Sequence, residues 1–195
     1  MGRLRRIHEY LVHQRVRVTF FLFIPLLAEN IVRGTRPLDL GPEGGPWGWV
    51  GLAVLVAGLF MRSWAAGMIH KNQVLARTGP YSLTRHPLYV GSLLGATGIF
   101  VLLGDPVDLG VMWAIFLGLY LPKIRLEEAT QALLFGPDWE AYKADTAMFF
   151  PRRPGSIRLA SPWQAARWLE NQEYRALATT AAVVVLLQAI LHLGG

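Results

Sequence analysis

Residues 88–121 read LYVGSLLGATGIFVLLGDPVDLGVMWAIFLGLYL. Two apolar runs, 88–103 and 107–121, are separated only by Gly104-Asp105-Pro106. A connection this short permits nothing but an antiparallel helical hairpin. A bilayer core of about 30 Å takes roughly 20 helical residues, and somewhat fewer where flanking side chains snorkel, so each run predicts a membrane span. Gly91, Gly95 and Gly98 share one face of the first run and predict that another helix backbone approaches it closely.

Outward from the hairpin, three further runs qualify. One begins at the aromatic pair Trp47 and Trp49, which suits an interfacial belt, and continues to Phe60 before Arg62, with an amphipathic stub ending near Ile69. Another occupies 176–193. A third, 16–32, carries Arg17, Pro25, Glu29 and Asn30, so its polar groups must reach an interface or face protein. The basic N-terminus resembles a secretory signal, but Ala28 is followed by Glu29 and Asn30 in place of a small-residue cleavage site, so it reads as an uncleaved first anchor. The expectation is an all-α polytopic membrane protein with about five transmembrane helices. Its 195 residues make a single integral membrane domain.

Composition agrees. Hydrophobic residues make up 53% and charged residues 16%, against about 25% charged in typical soluble proteins. The net charge of +6 sits in clusters beside apolar runs, with no extended basic face, which excludes nucleic acid and marks membrane lipids as partners. There is no cysteine, so thiol nucleophiles, disulfides and Cys-ligated zinc are excluded. Lys and Arg concentrate before 16–32, between the second and third spans, and after the fourth, which places the N-terminus and the segments 70–87 and 122–175 in the cytoplasm. From 163 to 173 a Trp-rich stretch reads as an amphipathic helix on the membrane surface.

Both cytoplasmic segments hold residues capable of chemistry. In Arg77-Thr78-Gly79-Pro80-Tyr81-Ser82-Leu83-Thr84-Arg85-His86-Pro87-Leu88-Tyr89-Val90-Gly91, Gly79-Pro80 marks a turn and Pro87 starts a helix at the position where its missing N–H costs nothing. That helix N-terminus, with Arg85, suits an anionic group such as the carboxylate of an amino-acid-like ligand. His86 can donate or accept, and Tyr81 and Tyr89 offer ring faces to an adenine or a sulfonium. The alternative is that Arg85 and His86 are ordinary positive-inside residues and the tyrosines belt aromatics.

The second cluster is Lys123-Ile124-Arg125-Leu126-Glu127-Glu128, followed by Trp139 and Tyr142. Adjacent carboxylates on a helix point about 100° apart and cannot both face one ligand. One is free to bind a ribose diol or an acceptor's proton while the other pairs with Lys123 or Arg125. The alternative is a solvated ladder of ion pairs. Arg62 reads as snorkelling to lipid phosphate, with entry into a binding site as the alternative, and Glu29 as an intramembrane charge or an outer-interface residue. His8 and His13, five apart, do not share a face as metal ligands would; no zinc, P-loop, GxGxxG or Ser-His-Asp pattern occurs.

Taken together, GPYSLTRHPLYVG at 79–91 and EEATQALLFGPDWEAYKADTAMFFP at 127–151, joined by a hairpin, resemble the isoprenylcysteine carboxyl methyltransferase and phospholipid methyltransferase superfamily of membrane enzymes. The resemblance covers a catalytic core of about 47–151 and leaves 160–195 as an accessory surface helix and span. Gln131 and Trp139 depart from the usual aliphatic residue and tyrosine. The resemblance implies S-adenosylmethionine bound at the cytoplasmic face, between a wall of Gly79, Tyr81, Arg85, His86, Pro87, Tyr89 and Gly91 and a wall of Glu127, Glu128 and Tyr142. It also implies a lipid or isoprenoid methyl acceptor arriving from the bilayer, either an isoprenylcysteine-type carboxylate or a phospholipid-type amine, with Glu128 and His86 as catalytic residues. Two other functions fit the same residues: an NADPH-dependent reductase related to sterol reductases, and a non-catalytic membrane scaffold. The oligomeric state is open.

Overall fold

Among the described residues, five helices begin on proline, whose fixed φ suits the first helical turn and whose missing N–H would be unsatisfied there anyway. They are α1 (Pro46–Ala66), α2 (Pro80–Leu83), α3 (Pro87–Leu103), α4 (Pro106–Phe135) and α5 (Pro137–Asp145); α6 (Ala165–Glu170) and α7 (Glu173–Leu193) complete the set. This computed structural model describes residues 24–26, 28–30, 32–41, 45–70, 73–149, 158–159 and 162–193. Residues 24–26, 28–30 and 32–33 are also helical, and no strand occurs among the described residues. The chain is all-α.

The hairpin forms as expected. Gly104 takes φ 86°, a left-handed value that ends α3. Asp105 then accepts from the N–H groups of Val107 at 2.8 Å and Asp108 at 3.2 Å, which caps the start of α4. The glycine face of α3 meets α1. A Cβ on Gly58 would lie 2.4 Å from Gly95 N, and one on Gly98 would lie 2.5 Å from Leu55 N. Only hydrogen fits between the two backbones, so α1 and α3 pack at the closest range helices reach in lipid. Beside this seam Leu55, Phe100, Leu102, Met112, Phe116 and Leu187 form the main core.

Among the described residues, three helices are long and apolar enough to cross a membrane: Pro46–Ala66, Pro106–Phe135 and Glu173–His192; Pro87–Leu103 is apolar but shorter. These occupy four of the five expected span positions. The remaining one, 16–32, lies largely outside the described residues, as do His8 and His13.

The second arm of the hairpin runs past the expected span end at Leu121 and carries the glutamate pair on the same helix, unbroken for 30 residues with Pro122 inside it. A proline removes one hydrogen bond from a helix, and the stretch after it is rich in good helix formers that carry the helix onward. The surface helix is shorter than 163–173: it ends at Glu170, and Gln172, with φ 56°, makes a corner into α7.

That corner belongs to a segment docked on the end of α1. Trp163 Nε1 donates to Ser63 O at 3.0 Å, Asn171 Nδ2 to Ala66 O at 2.9 Å and Arg167 Nη1 to Met68 O at 3.2 Å, while Gln164 N reaches Gly67 O at 2.9 Å. A helix leaves its last carbonyls without intrahelical partners. Here the C-terminal segment supplies a partner to Ala66 O and to the two carbonyls that follow the helix, those of Gly67 and Met68. Four turns further along, Gln188 of α7 donates to Leu38 O at 3.0 Å and accepts from Leu40 N at 3.2 Å, which ties the other end of the helix to the extended stretch before α1.

Candidate active site

The Thr84-Arg85-His86 turn between α2 and α3 is fastened to the chain just after α5. Arg85 N donates to Ala147 O at 2.9 Å, and Thr84 Oγ1 donates to Met148 O. With its backbone fixed, Arg85 sends its side chain in two directions. Nη1 donates to Lys143 O at 3.2 Å and to Thr146 O, satisfying the C-terminal carbonyls of α5. Nε and Nη2 both bond Glu128 Oε1, at 2.9 and 2.8 Å. His86 Nε2 lies 3.1 Å from the same oxygen. One carboxylate on α4 therefore gathers the arginine and the histidine of a turn more than forty positions earlier.

This cluster is buried, with side-chain exposures of 7% for Arg85, 8% for His86 and 12% for Glu128. Burial pushes the His86 imidazole below its ordinary value, and the hydrogen bond to Glu128 only partly opposes it. The ring is thus neutral near pH 7. Facing a carboxylate, its Nε2 carries the proton, and Nδ1 is left as an acceptor.

Glu127, one residue earlier, points elsewhere, as the helical 100° step requires. Tyr89 Oη donates to its Oε1 at 2.7 Å, and Lys123 Nζ stands 3.9 Å away. Tyr142 Oη donates to Tyr81 O at 2.7 Å, joining α5 to α2. Burial raises both tyrosine hydroxyls well above their ordinary range, so neither ionises under usual conditions.

These elements enclose a cavity of about 560 Å³. Tyr81, Arg85, His86, Pro87, Tyr89, Glu127 and Tyr142 line it. Three expected residues do not. Glu128 sits behind Arg85 and His86 and meets the cavity only through them. Gly91 packs on α1, where a Cβ would fall 2.7 Å from Gly58 O. Gly79, at φ 61°, turns against Met68, whose Sδ would lie 2.5 Å from its Cβ.

Arg62 lines the cavity too, taking the binding-site alternative instead of snorkelling: Nε donates to Glu173 Oε1 at 2.7 Å, Nη2 to Glu173 Oε2 at 3.0 Å, and Nη1 to Ser92 Oγ. Asn171 and Glu173 reach the same cavity from the C-terminal segment. Their sequence signal is slight, a carboxylate at the mouth of an apolar run. Glu29, by contrast, is exposed and pairs with Arg33 one turn on, at 2.5 Å. Two buried polar atoms on cavity-lining residues, Tyr81 Oη and Trp139 Nε1, have no hydrogen-bond partner among the described residues.

The phospholipid methyltransferase family matches residues 48–138. The cobalt-zinc-cadmium resistance protein CzcN of Cupriavidus metallidurans is 37% identical over 142 residues, 71% of this chain and 62% of that protein. The nickel-cobalt-cadmium resistance protein NccN of Alcaligenes xylosoxydans xylosoxydans is 33% identical over 53% of each. A protein-S-isoprenylcysteine O-methyltransferase of Schizosaccharomyces pombe is 29% identical over 102 residues, 52% of this chain and 43% of that enzyme. Over residues 48–138 the chain is thus similar to membrane methyltransferases of the phospholipid and isoprenylcysteine type. It spans between 43% and 62% of the length of these three relatives. No solved structure is significantly similar to it. Within the superfamily match fall α2, α3, α4 and the turn that carries Arg85 and His86, whereas Asn171 and Glu173 lie beyond its end.

Proposed function

We propose that this membrane protein transfers a methyl group from S-adenosylmethionine to a lipid-soluble acceptor, with its site at the cytoplasmic face. The observation that carries the proposal is the convergence of the Arg85-His86 turn and the Glu127-Glu128 pair on one cavity. The cavity volume, about 560 Å³, falls within the range of roughly 300–1,000 Å³ typical of small-molecule sites. Its donor set suits a zwitterionic nucleoside ligand. Tyr81 Oη and Trp139 Nε1 offer unspent donors to heteroatoms, Arg85 and the start of α3 favour a carboxylate, and Glu127 suits a diol or a cation. The cytoplasmic placement rests on the basic residues that flank the cavity segments.

Bound there, S-adenosylmethionine would supply an electrophilic methyl on sulfur. The protein's part is then alignment and exclusion of water. Glu128 holds Arg85 and His86 in place and acts as a positioning residue, because it does not itself reach the cavity. His86 presents Nδ1 as the group able to take a proton if the acceptor is an amine; a carboxylate acceptor asks for none. The isoprenylcysteine enzymes among the relatives support the carboxylate, and the family match supports the phospholipid amine.

Calorimetric titration of the detergent-purified protein with S-adenosylmethionine, S-adenosylhomocysteine and NADPH tests the reading. Binding of both sulfur nucleosides and not NADPH is expected. Binding of NADPH alone points to a reductase, and binding of none to a scaffold.

A further inference from the structure

Arg62 sits near the end of α1, in the wall of the same cavity, and is held by two independent sets of contacts. Ser92 of α3 donates its hydroxyl to Leu88 O at 2.8 Å and turns a lone pair toward Arg62 Nη1. The guanidinium is thereby aimed from its own side of the cavity. Glu173 then takes the two remaining faces of the fork, one carboxylate oxygen each on Nε and Nη2. This parallel geometry is the one by which arginine recognises any planar carboxylate. Glu173 is 3% exposed while the Arg62 side chain keeps 26%, so the arginine stays open to the cavity and the glutamate fills its binding edge.

The glutamate also has somewhere else to go. It is the first residue of α7, where unpaired N–H groups and the helix dipole favour a carboxylate. It follows Gln172, which alone among the described non-glycine residues has a positive φ, a corner where a small rotation swings the side chain.

We propose that Arg62 is the acceptor's recognition residue and that Glu173 is an internal carboxylate occupying its seat, displaced when an acceptor carboxylate enters. This rests on the methyltransferase reading above. Selectivity follows from the chemistry. The acceptor carboxylate uses its own lone pair to form the new O–C bond, the S–C bond breaks with its electrons left on sulfur, and no proton moves. The ester product is neutral, no longer competes for the guanidinium, and Glu173 reclaims it. Charge loss in the product thus drives release.

The test compares wild type, Glu173→Gln and Arg62→Gln in detergent micelles, with S-farnesylthioacetic acid and its methyl ester as probes. Affinity for S-adenosylhomocysteine is measured in each as a check of folding and of the donor site. Glu173→Gln should bind the acid about tenfold tighter than wild type, Arg62→Gln should lose acid binding, and the ester should be indifferent to both changes. An acid affinity that Glu173→Gln leaves unchanged or weakens overturns the proposal, as does an equal gain for acid and ester. If Glu173→Gln loses the nucleoside, Glu173→Asp, too short to engage both guanidinium nitrogens, takes its place with a smaller gain expected. Wild type that fails to bind S-adenosylhomocysteine overturns the methyltransferase reading instead.

Discussion

Two arginine–glutamate pairs stand in the walls of one cavity, and they are built differently. Arg85 and Glu128 join the turn before α3 to α4, both nearly buried, with His86 on the same carboxylate oxygen and two α5 carbonyls on the remaining guanidinium nitrogen. Arg62 and Glu173 join α1 to α7, with the arginine partly open and the glutamate at a helix start that can accommodate it without its partner. The first offers Glu128 no second seat, since it stands inside α4 with Arg85 and His86 together on one oxygen. The second has one. The stretch similar to the phospholipid methyltransferases thus carries both members of the first anchoring pair and the arginine of the second, and a segment beyond it contributes the glutamate proposed to be displaceable.

The contrast can be broken most directly at Glu128. Removing one member of a buried pair leaves an uncompensated charge, which costs on the order of 3–5 kcal/mol. Glu128→Ala should lower the thermal midpoint in detergent sharply and abolish S-adenosylhomocysteine binding, with Glu128→Gln milder on both counts. Arg62→Ala should cost less, because the Glu173 carboxylate it leaves stands at a helix start that favours negative charge, and should leave nucleoside affinity within a few-fold. If Arg62→Ala proves the more damaging in thermal unfolding, the difference between the anchors is misassigned.

A pH series sharpens the first anchor. His86 has a folded-state value depressed below 6.5 by burial, so over that interval the unfolded chain binds more protons than the folded one. Stability from this group is present above about 6.5 and is lost as the pH falls through the depressed value. The melting temperature of wild type should fall on acidification below pH 6.5, and that of His86→Asn should fall less. The smallest effect belongs to Arg77 and Asp138, 2.9 Å apart but 39% and 74% exposed. Exposed pairs contribute about 0–1 kcal/mol, so Asp138→Asn should barely move the melting curve.

Local chemistry made much of this legible in sequence. Gly104-Asp105-Pro106 specified the hairpin because each residue has one job within four positions: a left-handed end, a side-chain cap and a first-turn proline. The divergence of Glu127 from Glu128 followed from the helical step alone. The glycines of α3 announced a close neighbour, though not that Gly58 of α1 would be it. What escaped was either non-local or a balance of small energies. Arg62 and Glu173 are 111 positions apart, and nothing along the chain links them. Gly79 and Gly91 carry motif character yet serve packing, which only the positions of Met68 and α1 reveal. The unbroken passage of α4 through Pro122 turned on whether the following residues outweigh one lost bond.

That proline has a consequence for the backbone of α4. Having no N–H, Pro122 leaves the carbonyl of Gly118, one turn earlier, without its usual intrahelical donor. Gly118 is exposed, and a Cβ there would meet nothing within 4 Å. A carbonyl freed in this way is satisfied by water, by a neighbouring side chain or by a local adjustment of the helix. Gly118 therefore marks a point on α4 where exposed backbone asks for a polar neighbour, just over one turn before the charged stretch that begins at Lys123.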